Sequence, residues 1–143
     1  MRRLDTHVDI ERPPEAVWKA LTAFSAYGDW NPYLKEVQGE LVQGYHLRVT
    51  VQPASGKARV FQRLITAVIP GVEFSWKSKL IWPWLFQGKH TFRLTPLGSG
   101  GTRFENVETF SGLLTPLLWP MLNTSVRHQF EAMNHALKLL MEH

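Results

Sequence analysis

Three polar residues fall where they can act together. In GKHTFRL (Gly88–Leu94), Phe92 and Leu94 set one face of a strand, and the two-residue period puts Gly88 and His90 on that face. In TRFENVETFS (Thr102–Ser111), Phe104 and Phe110 bring Asn106 and Glu108 with them. A short turn joins the two strands, so they are expected to be antiparallel neighbours. A register with His90 opposite Glu108 leaves a five-residue loop, an allowed length. A slip of two leaves the pair diagonal and still within reach. Two readings follow. In one, Glu108 and His90 satisfy each other, because burying either alone is costly. In the other they form an acid–base pair: the carboxylate abstracts a proton next to a carbonyl, and the imidazole protonates or polarises the oxygen. That chemistry serves an aldol-type cyclisation or a dehydration and needs no cofactor.

Other constellations are set aside. His128 and His135 are seven apart on one helix and lack the spacing of a zinc site, so no metal is expected. Gly98-Ser99-Gly100-Gly101 has no lysine and following helix for a phosphate loop. The serines and threonines show no nucleophile-elbow spacing.

The elements that must position the three residues are legible from periodicity. Leu4–Glu11 alternates as a strand, with Leu4, Thr6, Val8 and Ile10 on one face. Pro13 and Pro14 open a helix carrying Val17, Leu21 and Phe24 as its buried stripe. SAYGDWNPY (Ser25–Tyr33) reads as a short helical turn and a bend, with Asn31 capping a backbone group and Trp30 sealing the space beside the first helix. Strands are expected over Leu34–Leu41, Tyr45–Gln52, Arg59–Ile69, Val72–Leu80, Phe86–Thr95 and Thr102–Ser111. The tail steps by three or four through Leu118, Leu122, Val126, Phe130, Met133, Leu137 and Leu140. Pro116 and Pro120 confine the good helix to Met121 onward, or kink it. The order predicts one α+β domain over residues 1–143, with a curved, mainly antiparallel sheet wrapped around a long C-terminal helix.

Several stretches strengthen this into a resemblance. IERPPEAVWKAL (Ile10–Leu21), DWNPY (Asp29–Tyr33), GKHTFRL, GGTRFENVETFSG (Gly100–Gly112) and FEAMNHALK (Phe130–Lys138) resemble the START-like (SRPBCC) superfamily, and within it the polyketide cyclase/dehydrase-like branch. The resemblance spans nearly the whole chain. It implies a helix-grip fold: a seven-stranded antiparallel sheet, two short helices after the first strand, and a deep apolar cavity between sheet and C-terminal helix. Leu47, Val49, Val51, Phe74, Trp76 and Phe92 from the strands, with Val126, Phe130 and Met133 from the helix and Asn106 as a polar contact, are the candidate lining, with plain core packing the competing expectation for each apolar one.

LIWPWLF (Leu80–Phe86) is far shorter than the roughly 20 apolar residues of a spanning helix. It is read as a strand end, a turn at Pro83 and a strand start. In the resembled fold this stretch and GLLTPLLWP (Gly112–Pro120) lie near an opening of the cavity, which implies a hydrophobic entrance formed by Trp82, Trp84, Leu113, Leu117 and Trp119. The competing expectations are that the two segments cover each other, or that the patch joins two copies of the chain. Monomer and homodimer therefore both stay open.

Composition agrees with this class. There is no cysteine, hydrophobic residues are 44% and charged residues 20%. The net charge of +4 is dispersed rather than gathered in a stripe, which argues against nucleic acid as a partner. The N-terminus lacks the apolar stretch of a signal peptide, so a cytoplasmic location is expected. Two functions compete: binding of a small hydrophobic molecule (a lipid, polyketide-like or isoprenoid compound), and cofactor-free cyclase or dehydratase activity through Glu108 and His90. A third, lipid exchange at a membrane surface, would add transient membrane contact.

Overall fold

The computed structural model describes residues 1–79 and 82–143. The expected strand end at Leu80, and Leu80 and Ile81 of the LIWPWLF stretch, lie outside them. Seven strands form a single antiparallel sheet in the order β1-β7-β6-β5-β4-β3-β2. They are β1 Arg2–Ile10, β2 Leu34–Gln38, β3 His46–Val51, β4 Arg59–Ile69, β5 Glu73–Lys79, β6 Gln87–Pro96 and β7 Thr102–Ser111. Each strand from β2 to β7 pairs with the next in sequence, and β1 closes onto β7 from Arg2↔Phe110 to Ile10↔Thr102. Register shifts at Leu34/Glu36 and Ile65/Ala67 are bulges of the kind that bend a sheet.

Helix α1 (Pro14–Thr22) starts where expected, with Pro14 at a position whose missing N–H breaks no bond. Val17 and Leu21 are fully buried, while Phe24 falls in a 3₁₀ turn (Phe24–Ala26) after the helix has ended. The single turn α2 (Tyr27–Trp30) leads into the bend at Asn31. Asn31 Oδ1 accepts from the backbone N–H groups of Tyr33 and Leu34, both at 2.9 Å.

The C-terminal helix begins ahead of Met121. Helix α3 runs Thr115–Met121, a π-helical turn covers Leu122–Val126, and α4 runs Arg127–Glu142. Pro116 sits in the first turn, where it is tolerated. Pro120 lies inside, and the wider π turn follows directly, one of the standard ways a helix absorbs a broken ladder. The Thr124 hydroxyl donates to the Pro120 carbonyl at 2.8 Å. Leu122, Phe130, Met133 and Leu137 are buried as the stripe predicts. The last step is four residues rather than three, so Met141 is buried and Leu140 exposed. No helix among the described residues is long and apolar enough to cross a membrane.

The core lies on the concave face of the sheet. Leu4, Ile10, Leu47, Val49, Ile65, Phe74, Phe92 and Phe104 from the strands meet Phe130, Met133 and Leu137 of α4, all with at most 2% exposure.

Candidate functional site

Strands β6 and β7 pair with His90 opposite Glu108 and Phe92 opposite Asn106, joined by the five-residue loop 97–101. His90, Asn106 and Glu108 therefore share the concave face. His90 Nδ1 lies 3.7 Å from Glu108 Oε1, beyond hydrogen-bonding distance. Gly88 makes room for the carboxyl group: a Cβ there would stand 2.3 Å from Glu108 Oε2. A side chain at position 88 would force the end of the Glu108 side chain to shift.

The imidazole is held elsewhere. Its ring stacks on Phe92 (4.1 Å between centroids) and on Phe130 (4.6 Å), with the edge of Trp76 at 5.7 Å. His90 Nε2 meets Asn106 Oδ1 at 2.5 Å. Asn106 Nδ2 donates to Asn134 Oδ1, and Asn134 Nδ2 donates to Thr6 Oγ1, both at 2.9 Å. The Thr6 hydroxyl donates to the Asn106 backbone carbonyl at 2.7 Å.

The direction of this chain is forced from its far end. A carbonyl can only accept, so Thr6 gives up its single proton there and must accept from Asn134. Asn134 then presents oxygen to Asn106, and Asn106 presents oxygen to His90. His90 Nε2 must carry a proton. In the neutral ring the remaining lone pair is on Nδ1, facing Glu108. Burial, opposed by the bond to Asn106 and assisted by the positive charge of Arg63, depresses the imidazole pKa to about 3. Burial pushes Glu108 up to about 7, against the pull of Arg63. Near neutral pH the pair is a neutral base and a half-protonated acid. The neutral imidazole offers Nδ1 as an acceptor, so the group with a proton to give is Glu108. This reverses the roles expected from sequence.

Two residues that periodicity did not single out complete the surroundings. Arg63 lies opposite Leu47 in the β3–β4 pair, which puts it on the concave face. Its guanidinium is drawn down in pKa by burial and held up by Glu108 and Tyr33. No direct ion pair joins Arg63 to Glu108 among the described residues. Tyr33 is buried, and its hydroxyl is pushed up by burial and by Glu108. The strand alternation Phe61, Arg63, Ile65 carried the signal for Arg63. Thr6 was already on the inward face of β1, and Asn134 lies one turn beyond Phe130.

Tyr33 and Arg63 face a cavity of about 330 Å³ between the β3–β4 hairpin and the C-terminal helix, also lined by Val51, Phe61, Val126 and Gln129. Of the sequence-predicted lining, only Val51 and Val126 border this cavity. Leu47, Val49, Phe74, Trp76, Phe92, Asn106, Phe130 and Met133 are buried and pack as core beside it.

The predicted entrance residues divide. Trp82, Trp84, Leu113 and Leu117 are exposed by 51%, 59%, 73% and 76%; Trp119 is half-buried beneath the Arg2 guanidinium. The two segments are tied together, Leu113 N–H donating to Trp84 O and Leu114 N–H to Leu85 O, both at 3.0 Å. They touch, but they leave four of the five side chains uncovered. Among the described residues no group of three or more His, Asp or Glu is placed to hold a metal ion.

Solved structures share this architecture. An aromatase/cyclase from Streptomyces sp. R1128 is 20% identical, with a TM-score of 0.78 over 99% of this chain and 93% of that one. A START superfamily protein from Mycobacterium smegmatis is 19% identical, with a TM-score of 0.75 over 98% and 97%. The di-domain aromatase/cyclase of the BE-7585A biosynthetic pathway is 13% identical, with a TM-score of 0.76 over 98% of this chain and 47% of that one. At these identities the likeness establishes the fold. No curated protein matches the chain. Residues 1–142 match a family described as polyketide cyclase / dehydrase and lipid transport. With the helix-grip architecture now in view, the chain belongs to that polyketide cyclase/dehydrase and lipid transport family.

Proposed function

We propose that the protein binds a small hydrophobic molecule carrying at least one oxygen function, in the cavity between the β3–β4 hairpin and the C-terminal helix. The observation that carries this reading is the composition of that cavity. Val51, Pro53, Phe61 and Val126 supply apolar walls, while Tyr33, Ser55, Lys57, Arg59, Arg63 and Gln129 bring polar and charged groups. Its volume of about 330 Å³ is at the small end for ligand sites, which suits a compact ring system or a short acyl chain. Arg63 has a partly desolvated charge without a carboxylate in contact, so a carbonyl or hydroxyl oxygen of the ligand would complete its coordination.

The test is native mass spectrometry of the purified protein, followed by organic extraction, with an environment-sensitive apolar dye as competitor. Val126→Trp fills the cavity from its helical side and is expected to abolish dye binding while the melting temperature holds. Dye binding equal to wild type in that variant would place the ligand elsewhere.

A second reading is favoured by one observation. Glu108 titrates near neutrality beside a neutral imidazole lone pair, as a residue that exchanges protons with a substrate requires. In that case Glu108 donates or takes the proton in a cyclisation or dehydration, and His90 Nδ1 accepts. Glu108→Gln separates the two: a carrier keeps most of its affinity, whereas a cyclase loses turnover with its fold intact.

A further inference from the structure

One end of the molecule combines exposed apolar side chains with an excess of basic over acidic residues. The strand registers put the end of β3, the start of β4, the end of β5, the start of β6, the end of β7 and the start of β1 at the same end of the sheet. There Trp82 and Trp84 stack face to face, their rings 5.5 Å apart and 10° from parallel, and each is more than half exposed. Beside them Leu113, Leu117 and Met121 repeat every fourth residue, exposed by 73%, 76% and 48%. The surface is pre-formed, because backbone hydrogen bonds join Trp84 to Leu113 and Leu85 to Leu114. Gly112 allows the close approach: its φ is 108°, and a Cβ there would stand 2.6 Å from the Leu85 carbonyl oxygen.

The charges around this face are mainly positive; exposed Asp5, paired with Arg3, and Glu36 near the start of β2 are the carboxylates closest to this end. Residues 41–72, 74–104 and 109–130 hold ten of the 16 Lys and Arg and none of the 12 Asp and Glu. Every segment forming this face falls in those stretches or at the start of β1. Exposed Arg2, Lys57, Arg59 and Lys89 flank it. Asp9, Glu40, Glu73, Glu105 and Glu142 belong to the opposite end of the sheet or helix. The molecule is therefore polarised, with its apolar face on the positive end.

We infer that this face docks on an anionic lipid bilayer surface, with Trp82, Trp84, Leu113 and Leu117 entering the interface and the flanking cations above the headgroups. Tryptophan favours the boundary between headgroup and hydrocarbon. Basic residues near an anionic leaflet add attraction that salt screens. A contact between two copies would instead bring two positive faces together, which charge repulsion opposes. The inference goes beyond the pocket and does not depend on what the pocket holds.

The experiment is co-sedimentation of the full chain with phosphatidylcholine vesicles, with and without phosphatidylglycerol. The expected result is binding to the anionic vesicles that weakens as salt is raised, and intrinsic tryptophan fluorescence quenched by brominated lipid. W82S/W84S should weaken binding about tenfold or more, because interfacial affinity scales with buried apolar area. L117S gives an independent apolar deletion should the double variant fold poorly, and K89E should weaken binding to anionic vesicles. Three results overturn the inference: no binding to anionic vesicles; binding that ignores both salt and phosphatidylglycerol; or a solution dimer dissolved by W82S/W84S, which would assign the face to a second copy. Dye binding measured on the same samples tells failure of the pocket from failure of this surface.

Discussion

His90 and Glu108 face each other at 3.7 Å across paired strands and never form an ion pair. The imidazole gains its charge only below about pH 3, and the carboxyl loses its proton only around pH 7. Over the range between, both are neutral. Their closeness reflects the register of β6 and β7, and each is stabilised by other neighbours. For His90 these are Asn106 and two phenylalanine rings; for Glu108, the space left by Gly88 and the field of Arg63.

The two groups pull the pH dependence of stability in opposite directions. Glu108 titrates near 7 in the folded chain and near its ordinary 4.5 when unfolded. The folded state holds the extra proton in that window, so this group lowers stability as pH rises from 4.5 to 7. His90 titrates at about 3 folded and 6.5 unfolded, so the unfolded state holds the extra proton and stability rises with pH across that window. The two slopes oppose each other from 4.5 to 6.5. Glu108→Gln removes one of them. Its stability relative to wild type should climb between pH 4.5 and 7 by on the order of 3 kcal/mol and then level off. Urea melts at half-unit pH steps measure this; a difference that stays flat with pH would mean that Glu108 is solvated.

The hydrogen-bond chain from Thr6 makes a spectroscopic prediction. At pH 7 the nitrogen shifts of His90 should show a protonated Nε2 and a bare, pyridine-like Nδ1, persisting to about pH 4. Asn134→Leu removes the link that orients Asn106. It leaves the Asn106 amide N–H without Asn134, at a cost of about 1–3 kcal/mol for that buried group, while the Thr6 hydroxyl keeps its bond to the Asn106 carbonyl. The same variant should show a mixture of tautomers. A single unchanged tautomer would mean that Asn106 is oriented without Asn134.

Gly88 and Glu108 should be energetically coupled. Gly88→Ala introduces a methyl group into the carboxyl's place and should destabilise by about 1–3 kcal/mol, the usual range for overpacking. Glu108→Ala empties that space, so the alanine at position 88 should cost little in that background. A double-mutant cycle reports the difference as a coupling energy. Additive effects would show that the carboxyl swings aside freely.

The fold was legible because its signals are local and repeated. Alternation gave the strands, including the two that carry the site, and the short loop between β6 and β7 limited their register to a few choices, of which the structure adopts His90 opposite Glu108. The tail was harder. Proline rules left two options, a helix from Met121 onward or a longer helix disturbed at the prolines; the second holds, because Pro116 needs no partner in the first turn and a π turn absorbs Pro120. Within the site, the strands showed which residues share a face. They did not show that His90 turns toward Asn106, because that depends on Asn134 and Thr6, 128 residues apart. Nor could alternation show that most predicted lining residues pack against one another beside a smaller cavity. That depends on how closely α4 approaches the sheet.

Asn31 gives the clearest test of a local constraint. It is fully buried, and its side-chain oxygen accepts two backbone N–H groups, from Tyr33 and Leu34. This bond pair turns the chain from α2 into β2 and sets Tyr33 at the cavity wall. Asn31→Ala removes the only acceptor those two donors have among the described residues' side chains, and water has poor access to a buried bend. The expected loss is about 2–6 kcal/mol, from two unsatisfied groups at roughly 1–3 kcal/mol each. Dye binding should weaken as well, because Tyr33 is no longer held. Urea unfolding with an unchanged denaturant slope would measure the loss. If stability fell by less than about 0.5 kcal/mol, the level of an ordinary surface change, the bend would be held by the packing of Trp30 and Tyr33, and Asn31 would not be what positions the cavity wall.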